Sequence, residues 1–394
     1  MSTMMQAAEL TAMPDEYLSL RAAVAELCSR FPKDYWDECD RSSRYPEEFV
    51  AALSEGGWLG VLIPEEYGGG GQPLGVAAVV LESIARSGAV ASSAHAQMYT
   101  MGTILRHGSE EQKKEYLPEI AAGNLRLQAF GVTEADAGSD TTRIRTSAVR
   151  DGDDYVVNGS KIYTSRFFHS DLMLLLVRTT PYEQVQRKTD GLSTLLVDLR
   201  DTGDQIKASK ISVMNNHETA ALFFDNLRVP VRNLIGEEGK GFRYILSGMN
   251  AERCLTTSEG LGTGFWFVEQ ASRYAGEREV FGRPIGMNQA IQLPLAQAYA
   301  NLVAASHLRW AAVRIFESGG QPHFEANAAK LLASQASWQA ANAAMDTFGG
   351  NGYATEYGIE RVFREARLGL VAPVNNNIVL AQIAHGNLGM PKSY

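Results

Sequence analysis

GVTEADAGSD, residues 131–140, is the stretch from which the rest of the chain can be read. It follows a short apolar run at 125–130 and precedes an alternating run at 143–150. The simplest reading is a strand, a tight glycine-containing loop and another strand. The loop gathers two hydroxyls (Thr133, Ser139), three carboxylates (Glu134, Asp136, Asp140) and the backbone freedom of Gly131 and Gly138. Such a loop either aims N–H and O–H donors at a planar or phosphorylated ligand or is an ordinary polar turn.

Outward from this loop the hydrophobic period changes twice. From about 128 to 236 it is two: 143–150 alternates, 154–157 leads into Asn158-Gly159, a strong hairpin signal, and 171–178, 192–199 and 220–229 complete a set of strands. The charged stretch 181–188 reads as a solvated connection. On the N-terminal side the period is helical, with Leu20, Val24, Leu27 and Phe31 at helix spacing and a capping box at Ser109 to Gln112. The glycine run ending 65–71 lacks the Gly-Lys-Ser/Thr of a phosphate-binding loop and reads as a bend. Beyond 237 long helices are expected near 240–272, 288–317, 324–347, 355–367 and 376–387, in the order of an antiparallel four-helix bundle. The expected fold class is mainly α with a middle β-domain: an N-terminal helical domain (1–127), a small antiparallel β-domain (128–236) and a C-terminal helical bundle (237–394).

A net charge of -9 argues against a general nucleic-acid binder. The three cysteines, Cys28, Cys39 and Cys254, are too far apart for a disulfide framework or a zinc site and suit a reducing compartment. No basic start leads into an apolar core, and no window approaches eighteen apolar residues, so a soluble cytoplasmic protein is expected, with the mitochondrial matrix left open. Gly260-Leu261-Gly262-Thr263-Gly264 approaches a dinucleotide fingerprint, but Phe265 replaces the third glycine and the segment lies in an expected helix, so it reads as close packing. Hydrolase elbows and zinc-protease motifs are absent, and the seven histidines are scattered, so no metal site is expected.

Four segments, GVTEADAGSD (131–140), AER (251–253), REVFGRPIGMNQAIQ (278–292) and DTFGGNGYATEYGIERVFREAR (346–367), with VVNGSKIYTS (156–165) and LRVPVRNLIGEEGKGF (227–242), resemble the acyl-CoA dehydrogenase flavoproteins. The resemblance runs in order along essentially the whole chain. It implies FAD lying against the β-domain and the bundle, a homotetramer, α,β-desaturation of an acyl-CoA, and electron-transferring flavoprotein as electron acceptor. By the same resemblance Val132, Thr133 and Ser139 touch flavin and substrate. Tyr163 falls where an aromatic ring covers the flavin, and Ser165 where a hydroxyl bonds near its reactive nitrogen; packing within the strand is the other reading of Tyr163. Arg278, Phe281 and Gln289 are implied to reach the FAD of a neighbouring copy, or simply to pack against it. Gly349 and Gly350 are implied to let backbone approach the pyrophosphate of that FAD, and Asp346 is implied to bind the cofactor.

The chain departs from the family at its usual base. Many members carry a glutamate where Pro373 stands, and proline takes no proton. Asn375 and Asn377 replace flavin-contacting threonine and glutamine, and their amides keep hydrogen-bonding capacity. A subset, including isovaleryl-CoA and long-chain enzymes, takes the base from a bundle helix, directly before an arginine. That pattern makes Glu252 the expected base and Arg253 its electrostatic partner, with Asn250 one turn earlier meeting the CoA. Otherwise Glu252 is an exposed helix glutamate. Arg166 and His169, beyond the flavin-wall strand, either read a polar acyl group or face solvent, and solvent is the expectation. Three other functions stay open: a flavin oxidase or monooxygenase, a desaturase of carrier-protein-bound acyl groups, and a non-catalytic flavin-binding partner.

Overall fold

The computed structural model describes residues 13–392. It resolves into two compact units: residues 43–72 with 92–249, and residues up to 42 with 73–91 and 250 onward.

The first unit is built on an eight-stranded sheet. Its strands are β1 (Leu127–Gly131), β2 (Ser147–Asp151), β3 (Asp154–Thr164), β4 (Leu172–Arg178), β5 (Leu192–Asp198), β6 (Ile206–Lys210), β7 (Ala220–Pro230) and β8 (Leu234–Ile235), in the order β6-β7-β3-β2-β4-β5-β8. Most pairs are antiparallel, as expected. β1 instead runs parallel to β4, because it enters from the helical segment and hands the chain to the 131–140 loop before the β2–β3 hairpin is made. β4 is buried at all seven positions. One face lies among Tyr155, Val157, Leu195 and Phe224, and the other under Met101, Ile104, Leu117 and Ile120 of two helices, Ser92–His107 and Glu110–Ala121. Burial on both faces explains its unbroken apolar run. The second of these helices starts on the expected capping box: Ser109 accepts from the Gln112 amide, and the Gln112 side chain accepts from the Ser109 amide.

Asn158-Gly159 is not the hairpin turn. It lies inside β3, and the β2–β3 turn is made at Gly152, with Asp151 paired to Asp154. Gly159 is needed for another reason: its φ is +144°, and a Cβ there would stand 2.6 Å from Thr146 Cα, at a shift of register against β7. β6 has weak alternation and no counterpart among the expected strands.

The second unit is helical. Counting along the chain, α1 (Leu18–Ser29), α2 (Lys33–Arg41), α4 (Leu74–Arg86), α8 (Met249–Glu277), α9 (Gln289–Glu317), α10 (His323–Phe348), α11 (Gly350–Tyr353), α12 (Ile359–Leu368) and α13 (Asn376–Gly386) contribute to it, α8 from Asn250 onward. The helix Glu47–Glu55 is then α3, and Ser92–His107, Glu110–Ala121 and Gly241–Ser247 are α5, α6 and α7 of the sheet unit. The expected helix at 240–272 is thus two, separated at Gly248. Alanines at 333, 336, 340, 341 and 344 of α10 let it pack closely on its neighbours, with Phe265, Phe267 and Leu302 filling the core. The GLGTG segment is a packing surface: a Cβ on Gly262 would lie 2.3 Å from the Glu82 carbonyl oxygen. Among the described residues no helix is long and apolar enough to cross a membrane, and no group of three His, Cys, Asp or Glu residues is arranged to hold a metal.

Candidate functional site

In the sheet unit the 131–140 loop is fixed by one buried ion pair. Lys161, inward on β3, donates to Glu134 Oε1 at 2.8 Å and to the Val132 carbonyl at 3.0 Å. Glu134 also accepts from the Arg145 and Thr146 amides at 2.6 and 2.9 Å. This loop carboxylate therefore points into the protein and sets the loop's shape. Burial pushes the Lys161 ammonium down to about 8, against the pull of Glu134. Burial also acts to raise the Glu134 carboxyl, but Lys161 and the amide donors outweigh it and hold it below its ordinary value. The Ile162 amide donates to the Thr133 carbonyl at 2.9 Å, tying the loop to β3 a second time. Val132 and Thr133 are half-buried and Ser139 is exposed.

The end of β3 is strained. Tyr163 has φ +62°, at a register shift between Lys161 and Thr164, and its ring is 60% exposed. A non-glycine residue in this region costs of order 1 kcal/mol, and here the bulge turns an aromatic face outward. The Ser165 hydroxyl lies 3.2 Å from that of Thr219. Arg166 does not face solvent, and His169 is half-buried. Arg166 (φ +58°) is buried, donates to Ser92 Oγ, and its amide donates to the His217 carbonyl. His169 stacks on Tyr45 at 4.3 Å and pairs with Glu218. The left-handed turn at Arg166 folds the segment back onto α5, which sequence spacing does not reveal.

In the helical unit Asn250, Glu252 and Arg253 share the first turns of α8 and all are buried, Glu252 at 3% exposure. Thr256 donates to Glu252 Oε1 at 3.3 Å. Arg253 donates to Gln382 on α13 at 3.2 Å, and the Asn250 amide lies 3.1 Å from His323 Nδ1. Glu252 is thus no exposed surface glutamate. Pro373 is exposed, Asn375 caps α13 by accepting from the Ile378 amide at 3.0 Å, and Asn377 is exposed on its first turn.

Elsewhere on this unit β9 (Glu279–Val280) and β10 (Arg283–Pro284) form a two-residue hairpin with Phe281 and Gly282 at φ +54° and +75°. The Phe281 ring at its tip is fully exposed, and Arg278 and Gln289 flank the hairpin, both exposed. Beside it an apolar groove of about 710 Å³ runs between α8 and α9, past Val268, Ala275, Ile291 and Tyr299. The groove includes none of the expected acid–base groups. Asp346, Gly349 and Gly350 are exposed at the end of α10, and no atom lies within 4 Å of where a Cβ would stand on either glycine. Within the sheet unit, then, the structure gathers Val132, Thr133, Tyr163 and Ser165 around the β3 end. Within the helical unit it gathers Asn250, Glu252 and Arg253 on one turn, with α13 tied to that turn through Gln382.

Two residues escaped sequence reasoning. Lys161 holds the loop. Lys330, 1% exposed on α10, donates to the Gly369 carbonyl (2.9 Å), the Val374 carbonyl (2.7 Å) and Asn376 Oδ1 (2.9 Å). A lone cation in the run Ala326 to Ala333, at helix spacing from His323 and Asn327, was the available signal.

The N-terminal, middle and C-terminal domain models of acyl-CoA dehydrogenases match residues 14–124, 129–227 and 239–388. The chain is 32% identical over 385 residues to the acyl-CoA dehydrogenase FadE12 of Mycobacterium tuberculosis, covering 96% of this chain and 98% of that one. Glutaryl-coenzyme A dehydrogenase, solved with glutaryl-CoA, superposes with a TM-score of 0.89 at 32% identity, over 97% of each chain. The prolyl acyl carrier protein oxidase AnaB superposes with a TM-score of 0.87 at 27% identity, over 96% of this chain and 100% of its own. The chain belongs to the acyl-CoA dehydrogenase family, whose members are flavoprotein oxidoreductases.

Proposed function

We propose that the protein is an FAD-dependent dehydrogenase converting an acyl-CoA thioester to its trans-2-enoyl-CoA, with Glu252 as the base for the α-proton. Glu252 carries the reading. It is a buried carboxylate beside a buried arginine, in a chain with Pro373 where many relatives keep their base. A general base must be a proton acceptor held in a dry, fixed position, and the first turn of a long packed helix supplies that. Arg253, anchored by Gln382, sets a fixed positive charge on the same turn, suited to the negative charge that develops on a thioester carbonyl as its α-proton leaves.

The residues expected to hold FAD fit it chemically. Tyr163 offers an exposed aromatic face, and Thr133 and Ser165 offer hydroxyls for a polar ring edge. Gly349 and Gly350 leave backbone open to a pyrophosphate, and Asn375 and Asn377 add amides. When bound, FAD supplies the two-electron acceptor for the hydride that leaves the β-carbon. Glu252 takes the α-proton, and Ser139 and Asn250 hold the CoA moiety. Arg278, Phe281, Gln289 and Asp346 serve FAD in a homotetramer, Phe281 being exposed as such a contact requires. Electron-transferring flavoprotein is the proposed oxidant. The placing of the base on the bundle helix puts the protein with the isovaleryl-CoA and long-chain enzymes.

Anaerobic titration of the purified yellow protein with a panel of acyl-CoAs, followed at the oxidised-flavin absorbance, tests this. Bleaching by one acyl class supports the reading and names the substrate. Glu252→Gln should keep FAD and slow bleaching by roughly 10²–10⁴-fold. Bleaching only by carrier-protein-bound acyl groups, the class named for AnaB, replaces the CoA reading; no bleaching of a fully loaded enzyme by either overturns it.

A further inference from the structure

We infer that Lys330 is a positioning residue for the turn at 369–377, fixing where Asn375 and Asn377 stand and referring that turn to the same helix face that holds the first turn of α8. This rests on the proposed function, which makes the two amides cofactor contacts.

An ammonium has three hydrogens, and Lys330 spends them in three directions on one short segment. The Gly369 carbonyl lies just after α12, the Val374 carbonyl just before α13, and Asn376 Oδ1 on the first residue of α13. One buried nitrogen therefore closes the turn across its whole length. A second tie lies one helical turn along α10, where Asn376 Nδ2 donates to Ser334 Oγ at 3.0 Å. Asn375 and Asn377 flank the doubly held Asn376. They cannot shift along or across α10 without breaking these bonds.

Lys330 and Ser334 continue a polar line that begins at His323 and passes Asn327, at spacings of four, three and four residues, so the four side chains share one face of an otherwise alanine-rich helix. Its N-terminal end meets Asn250 through His323, and its inner end meets Asn376. Arg253 closes the circuit by donating to Gln382 on α13. The turn carrying Glu252 and the turn carrying Asn375 and Asn377 are thus located by one rigid reference.

Among the described residues Lys330 has no carboxylate within ion-pair reach, and the charge that acts on it is that of Arg253, of its own sign. A buried ammonium so placed is costly, and an apolar side chain of similar length packs an interior position at lower cost. What the ammonium supplies that methionine cannot is direction.

The test uses the full-length protein stripped of flavin and titrated with FAD, with binding read by quenching of flavin fluorescence well below the melting temperature of every variant. Wild type is titrated first; if it binds no FAD, the proposed function falls, and this inference with it. Given wild-type binding, Lys330→Met should weaken FAD by roughly tenfold or more, and Asn376→Ala, at a half-buried helix start, by roughly threefold in the same direction. Leu302→Ala, a core truncation away from the turn, should lower the melting temperature while leaving FAD affinity within about twofold. The inference is overturned if Lys330→Met binds FAD within about twofold of wild type, or if Leu302→Ala weakens binding as much. Should Lys330→Met fail to fold, Asn376→Ala decides: weaker FAD at unchanged melting temperature supports it, and unchanged affinity rejects it.

Discussion

Two buried lysines hold two loops, one in each unit, and they do so on opposite terms. Lys161 faces Glu134, which takes two backbone amides as well, so the 131–140 loop is held by a network in which charge is balanced. Lys330 faces two carbonyls and an amide oxygen, with Arg253 as the charge acting on it. Burial pushes both ammonium groups down to about 8. In the first loop the cation neutralises a carboxylate that would otherwise be stranded. In the second the cation is itself the expense, and what it returns is geometry. A balanced pair makes a loop hard to break; an unbalanced cation makes a turn hard to move.

Removing each cation should expose that contrast. Lys161→Met leaves Glu134 buried without its counter-ion and should cost about 3–5 kcal/mol in urea unfolding. A loss below about 1 kcal/mol would show that the amide donors alone suffice. The alkaline limb comes next. The ordinary lysine value is 10.5, so folded Lys330 releases its proton before the unfolded chain does. Below pH 8 both states are protonated and the burial cost is full. Between about 8 and 10.5 the folded state is relieved, and wild type should gain on Lys330→Met by at most about 3 kcal/mol; parallel stability curves over that range would remove the comparison. At neutral pH Lys330→Met should cost about 1–3 kcal/mol, less than its counterpart, because three orphaned acceptors are partly offset by the loss of a buried charge. The smallest effect belongs to the acid limb. Glu134 is held below its ordinary 4.5, so its contribution is complete above that pH and fades as pH falls through the folded value. Glu134→Gln should flatten that part of the wild-type acid curve.

The parts of the molecule legible in sequence were those whose partners lie nearby or whose pattern repeats. The capping box at Ser109, the bundle helices from Gln289 onward and the strand at β4 follow from local rules, and their limits fall within a few residues of expectation, whereas the helix expected at 240–272 breaks at Gly248. The loop at 131–140 was recognisable from its residue types. The role of Glu134 was not, because its partners Arg145, Thr146 and Lys161 lie 11, 12 and 27 residues away. Lys330 hid for the same reason, its acceptors being 39 to 46 residues on. Asn158-Gly159 misled because a glycine required by close approach to Thr146 reads the same as one required by a turn. Arg166 misled because nothing in its neighbours announces a left-handed backbone at a non-glycine position.

The hairpin tip at Phe281 has a practical consequence. An aromatic ring standing wholly in solvent on a two-residue turn is a natural cleavage point for chymotrypsin, which cuts after such side chains when the surrounding backbone is accessible. Cleavage after residue 281 should be rapid while that ring is bare and slow once another surface covers it. Limited digestion therefore tests the proposed homotetramer with neither substrate nor flavin colour.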